Sequence, residues 1–234
     1  MKVLVIQNCA GEGIGLYERY LKEKGIRYSV FRAYLGRRFP NSYGYDAVIV
    51  GGTPVSANDF HKHPYLRREW HYLKRWMRSG KPYLGVDCGG QILARLLGAG
   101  VKKNPVMEIG GYDVRLTPAG RKDPMFRGFP ASFPVFHWHG WTFDLPKNTL
   151  LLVEGKDCRN QAFRRGNAVA LQFHLQVDPA EADRWAKRYR HELEHVHKTA
   201  GQVVEECRVR QRRMKKLAGT LLTNFFDVAG RGGR

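Results

Sequence analysis

"PYLGVDCGGQILARLLG", Pro82 to Gly98, is the stretch that decides the fold. Residues that fit a buried strand run into a turn, and the turn opens into a Leu-rich helical pattern, so the residue at the turn is presented at the end of a sheet. A strand that reverses this sharply into a helix packs backbone against backbone and needs small residues around its apex. Gly85 and Gly89 flank position 87 symmetrically. That spacing puts Asp87 at the apex and Cys88 one residue beyond it, with the Cys88 backbone N–H rather than its thiol facing the turn. Gly89 and Gly90 also permit an alternative in which the turn slips by one residue, bringing the thiol to the apex at the expense of the glycine symmetry and of the direction of Gln91.

Working outward, the upstream chain alternates strand and helix patterns. "KVLVIQ" (2–7), "RYSVFRAY" (27–34) and "YDAVIVGG" (45–52) read as strands, "GLYERYLKEKG" (15–25) as a helix, and "PYLRREWHYLKRWMRSGK" (64–81) as an amphipathic helix opened by Pro64. Alternation of this kind implies a parallel sheet covered on both faces. After Gly100 the texture changes to turn-punctuated runs, "VMEIGGYDVRLT", "FPVFHWHGWTF" and "TLLLVEG", which suggest hairpins added to the sheet before a central strand returns at "AVALQFH" (168–174). From 179 to about 226 the chain reads as helical, with Ala200, Val203, Cys207, Met214, Leu217 and Leu221 recurring at spacings of three and four, broken at Arg210. This predicts a docking helix with a basic outer face. One unit over 1–228 and a flexible tail at 229–234 complete the expected organisation.

The composition narrows the classes further. A hydrophobic share of 43% supports a real core and argues against wholesale disorder. The net charge of +19 suggests a polyanion as a partner, but Lys and Arg are scattered and read mainly as a solvated surface. Cys9, Cys88, Cys158 and Cys207 form neither a CxxC pair nor a compact framework, which fits a reducing, cytoplasmic setting without structural disulfides or zinc. The chain lacks a run of about 18 apolar residues, so no membrane span is expected.

Four motifs in order now carry a resemblance. "LGVDCGGQILA" resembles the LGxCxGxQ elbow of class I glutamine amidotransferases, and "VIVGGTPVSANDF" resembles their GGPxSV-D loop. "FHWHGWTFDLP" is similar to WHGDTFDLP, and "ALQFHLQV" to the QFHPE or QFHLEV strand end. The resemblance runs to about Phe226 and points to the standalone branch related to the glutaminase part of GMP synthetase. It implies a flavodoxin-like three-layer α/β sandwich, with a mostly parallel central sheet, an added β-hairpin region and C-terminal helices. It also implies hydrolysis of glutamine to glutamate and ammonia without a cofactor, the ammonia passing to an acceptor on another chain.

Carried over by position, the resemblance makes His174 the base and acid, Gly52 and the Cys88 N–H the oxyanion donors, and Gln91 and His139 pocket residues. Two catalytic positions depart from the pattern: the nucleophile position holds Asp87, and the orienting acid is Gln176. Trp141 stands where WHGDTF has its aspartate. A carboxylate attacking an amide must expel an amine to form a high-energy anhydride, and an amide carries no charge to stabilise an imidazolium. Asp87 beside His174 is expected to form a resting ion pair and raise the histidine's pKa. These departures point to an impaired or repurposed site that binds glutamine or a γ-glutamyl compound. The alternatives are an active glutaminase using Cys88 and a basic module for nucleic acid or an acidic partner.

Other patterns are weaker. "HELEH" (191–195) matches HExxH, but it lacks the third ligand of a longer zinc motif and lies in a charged, helical stretch. The "HWH" pair, His137 and His139, is accounted for by the resemblance as part of a loop near the glutamine pocket, so no metal is expected. "HKHP" (61–64) reads as a solvated loop. "GEGIG" (11–15) reads as an ordinary β-to-α connection.

Overall fold

The computed structural model describes residues 1–231. Strands β1 (Lys2–Gln7), β2 (Arg27–Arg32), β3 (Ala47–Val50) and β4 (Tyr83–Val86) alternate with helices α1 (Gly15–Glu23) and α2 (Pro64–Arg78), and α3 (Cys88–Leu96) follows the elbow. β3 and β4 are buried at every residue, which explains why they read as continuous apolar runs rather than alternating ones. β1 shows the pleat directly. Val3 and Val5 enter one core layer with α1, while Leu4 and Ile6 enter the other with α2 and α3.

The second half adds β5 (Val101–Leu116), α4 (Pro118–Lys122), β6 (Ser132–Phe143), β7 (Leu150–Glu154), β8 (Asn160–Arg165) and β9 (Ala168–Leu171). These nine strands, among the described residues, form one sheet in the order β2-β1-β3-β4-β9-β8-β7-β5-β6. The first five strands in that order run parallel, and from β9 onward each neighbour is antiparallel. The hairpin region is therefore a continuation of the sheet, and β9 returns beside β4 with Val86 opposite Leu171. This register sets the chain ends of β4 and β9 side by side, and both open onto the same edge of the sheet.

Helices α5 (Pro179–Arg188) and α6 (Ala200–Arg231) cover the face that α1 also covers. Asp178 caps α5 by accepting from the Glu181 N–H at 2.8 Å, and Pro179 fills the first turn, where its missing N–H costs nothing. Three expectations change here. The HELEH segment is a 3-10 helix, Arg190–Val196, so its two histidines do not sit one α-turn apart on a common face. "HWH" lies within strand β6, not in a loop. α6 runs unbroken through Arg231, so Ala229 to Arg231 belong to the helix and not to a tail, while positions 232–234 lie outside the described residues.

Candidate functional site

The elbow forms because small residues let three backbones meet. A Cβ on Gly85 would overlap the Gly89 carbonyl, and one on Gly89 would overlap the Val50 carbonyl. Asp87 occupies the apex with φ 51° and ψ −115°, a conformation that costs a non-glycine residue about 1–3 kcal/mol. Its N–H donates to the Leu171 carbonyl at 2.8 Å, tying the apex to the end of β9. Cys88 is the first residue of α3, and its thiol turns into the core, 3.5 Å from the Val55 carbonyl. Burial, followed by the charge of Asp87, pushes that thiol well above the usual range, so it stays protonated.

Asp87 is held by amides. Gln91 Nε2 donates to the Trp141 carbonyl at 3.4 Å and to Gln172 Oε1 at 3.3 Å, and Gln172 Nε2 donates to Asp87 Oδ1 at 2.8 Å. The nearby Cys88 backbone N–H favours the charged carboxylate, and Asp87 Oδ2 lies 3.0 Å from where a Cβ on Gly52 would stand. The apex carboxylate thus lies beside the Cys88 N–H and Gly52, the two positions that the resemblance assigns to oxyanion stabilisation. Burial raises the Asp87 pKa to about 6, while His139, the Cys88 N–H and Gln172 pull it down.

His174 is positioned by a two-way backbone bridge to Phe136 of β6, with hydrogen bonds of 2.8 and 3.0 Å. Its Nδ1 lies 2.8 Å from Gln176 Nε2. With that amide donating, the imidazole carries its proton on Nε2 and has no lone pair there to accept another. Turning the amide over would free Nε2, but the partner would still be uncharged. Burial, then the nearby His139, drives the His174 pKa down to about 3. The expected ion pair with Asp87 is therefore corrected: among the described residues the two side chains form no ion pair, and burial lowers the His174 pKa instead of a carboxylate raising it.

Around these groups lies a cavity of about 160 Å³. That is well below the roughly 300–1,000 Å³ of drug-sized pockets, so it suits a small ligand. Asp87, Gln91, His139, Trp141 and His174 line it, whereas Gly52, Cys88 and Gln176 do not. The wall also includes Glu12, Trp138, Trp185, Tyr189 and Glu192, to which the sequence reading gave no role in the site. Trp138 and Trp185 meet edge to face at 6.1 Å, and Trp138 Nε1 donates to Glu192 Oε2 at 2.7 Å. Glu12 accepts from the Tyr189 hydroxyl at 2.8 Å, and burial, with Asp87 close by, raises its pKa to about 8. Glu12 lies in the "GEGIG" turn and Glu192 in "HELEH", so both belonged to patterns read for other chemistry.

Comparison with known proteins agrees with this architecture. Residues 7–188 match the family model described as glutamine amidotransferase class-I. The glutamine amidotransferase-like protein YfeJ of Salmonella typhimurium is 30% identical over 181 residues, covering 75% of this chain and 76% of that one. A glutamine-hydrolysing GMP synthase subunit of Ignicoccus hospitalis is 29% identical over 146 residues, covering 61% and 72%. A glutamine amidotransferase crystal structure from Thermotoga maritima superposes with a TM-score of 0.88 at 31% identity, covering 96% of this chain and 97% of that one. By its fold, its ordered motifs and this match over most of its length, the chain belongs to the class I glutamine amidotransferase family.

Proposed function

We propose that this protein binds glutamine or a γ-glutamyl compound in the cavity without hydrolysing it by the family reaction. The observation that carries this reading is the buried Asp87 carboxylate at the apex, whose Oδ2 sits against Gly52. A substrate carbonyl entering here meets an anion where the family reaction needs hydrogen-bond donors, and the apex group is a poor nucleophile toward an amide. The walls support an amino-acid ligand: an ionised Asp87 attracts an ammonium group, and Trp138 and Trp185 offer apolar and cation–π contact. Without ammonia release, an ammonia-accepting synthase is not required, and any partner would respond to the liganded state instead.

The test is glutamate release from glutamine by the wild type, Asp87→Cys and Cys88→Ala, together with calorimetric titration of glutamine. Silent wild type, saturable binding and activity gained in Asp87→Cys support the reading. Wild-type activity that disappears in Cys88→Ala overturns it in favour of an active glutaminase using Cys88. Absence of glutamine binding, with salt-dependent retention on a polyanion, would instead favour the basic-module reading.

A further inference from the structure

We infer that Glu108, His137 and His139 form a binding site for one divalent transition-metal ion, with Zn²⁺ the best fit. The inference is independent of what the cavity binds. His137 and His139 are two apart on β6 and share a face of the sheet, and Glu108 of β5 lies directly opposite His139. The pairing register therefore gathers two imidazoles and a carboxylate across one hairpin. All three residues are at least 96% buried, and their donor atoms lie within 4.8 Å of one another.

The hydrogen bonding of the cluster calls for a cation. His139 Nδ1 lies 3.0 Å from the Trp141 carbonyl, an acceptor only, so Nδ1 carries the proton. Nε2 lies 2.9 Å from Glu108 Oε2, off the line of a hydrogen bond to it. Two electron-rich atoms at that distance repel unless something positive lies between them. A proton on Nε2 would serve if it pointed along the contact, but the pair is not aligned as a hydrogen bond. His137 adds to the same deficit. It is fully buried, its Nε2 is 3.9 Å from the same Glu108 oxygen, and neither of its ring nitrogens has a partner. Gln161 Oε1, also buried without a partner, belongs to a side chain whose Nε2 reaches Glu108 Oε2 at 3.3 Å. Four of the ten buried side-chain polar atoms without partners among the described residues thus belong to three residues around one carboxylate. Two of these atoms, His139 Nε2 and His137 Nε2, lie within 4 Å of it. Buried polar groups are otherwise paired, so such a cluster needs an explanation.

A bound metal supplies it. Ligands held ~2.0–2.1 Å from a tetrahedral ion lie roughly 3.3 Å apart, midway between the 2.9 and 3.9 Å separations seen here. Two imidazoles with one carboxylate are a nitrogen-and-oxygen donor set suited to Zn²⁺. The Trp141 carbonyl on His139 Nδ1 and the Gln161 amide on Glu108 are the outer hydrogen bonds that orient metal ligands. A fourth position remains for water or the Gln161 oxygen.

The experiment uses full-length protein, stripped with a chelator and titrated with Zn²⁺ against a chromophoric competitor. We expect one tight equivalent per chain, weakened at least 100-fold in His137→Gln and Glu108→Gln and unchanged in His191→Gln/His195→Gln. No tight equivalent, or one that survives His137→Gln and Glu108→Gln, overturns the inference. Should those variants fail to fold, zinc-edge X-ray absorption of the wild type decides. Two imidazoles with an oxygen ligand uphold the site, whereas a sulfur shell or no histidine signature refutes it.

Discussion

Replacing Asp87 with cysteine, with and without Gln176→Glu, separates the two losses in this site. The elbow backbone already holds its apex at φ 51° and ψ −115°, so a cysteine there inherits the presented position without further strain. It also removes the carboxylate that sits against Gly52 beside the Cys88 N–H, clearing that position for a substrate oxyanion. His174 remains beside a neutral amide at 2.8 Å, however, and in serine-protease triads the same loss of charge costs roughly 10⁴ in turnover. Asp87→Cys alone should therefore turn over glutamine about 10⁴-fold more slowly than Asp87→Cys/Gln176→Glu. Adding Cys88→Ala should change neither rate by more than a few-fold. The pH profile supplies an independent reading. His174 now titrates at about 3, and a carboxylate at 176 favours its protonated form, so the acid limb of the double variant should lie at higher pH than that of the single one. Coupled measurement of glutamate across pH 3–9 checks both. Equal rates would refute the claim that the missing charge limits catalysis, and loss of activity with Cys88→Ala would show that the apex had been assigned to the wrong residue.

Three further outcomes follow from burial. Asp87 titrates at about 6 in the folded chain against 3.8 for the free side chain, so the native state holds a proton that the unfolded state has lost; stability then falls between those pH values by about 3 kcal/mol. Asp87→Asn lacks that slope, so calorimetry should show its melting temperature gaining roughly 6–12 °C on the wild type between pH 4 and pH 7, and parallel curves would contradict the argument. Glu69, buried with only Asn8 donating to it at 3.0 Å, is raised to about 8, so Glu69→Gln should gain on the wild type by about 1.4 kcal/mol per pH unit between 4.5 and 8. Gly89→Ala drives a methyl into the Val50 carbonyl and should cost about 3 kcal/mol or more by urea unfolding, an effect that ordinary helix propensity would reverse in sign.

The fold and the site were legible in the sequence to different depths. The elbow could be read because glycine spacing reports backbone contact directly: Gly85 and Gly89 are small for reasons visible in the chain itself. The buried strands could be read because β3 and β4 carry no polar residue to dilute their pattern. The HELEH helix was misread because a charged segment satisfies helical spacing whether its turn is α or 3-10. Glu12 and Glu192 were missed for another reason. Their role depends on Tyr189 and Trp138, partners distant in sequence, and single-chain spacing says nothing about contacts made across layers. Glu108 was missed likewise, because only the β5–β6 register brings it to His139.

The two departures at the triad are better understood together than as separate defects. The family pattern places one carboxylate behind the histidine and a neutral thiol at the apex; this chain places the carboxylate at the apex, in Asp87, and a neutral amide behind, in Gln176. The carboxylate count of the triad is unchanged, but its position is reversed across His174. Had a glutamate remained at 176, a second buried carboxylate would join Asp87 around a cavity whose imidazole is already driven to about 3 by desolvation, and whose Glu12 holds its proton partly because of the Asp87 charge. Buried anions without matching cations either take up protons or destabilise the fold. The apex carboxylate thus makes an uncharged residue at 176 the more stable choice, and the amide removes the charge that a general base would need. On this account Gln176→Glu alone lowers the melting temperature, and Asp87→Cys restores it. Additive effects of the two substitutions would show instead that the apex and the orienting position do not sense one another.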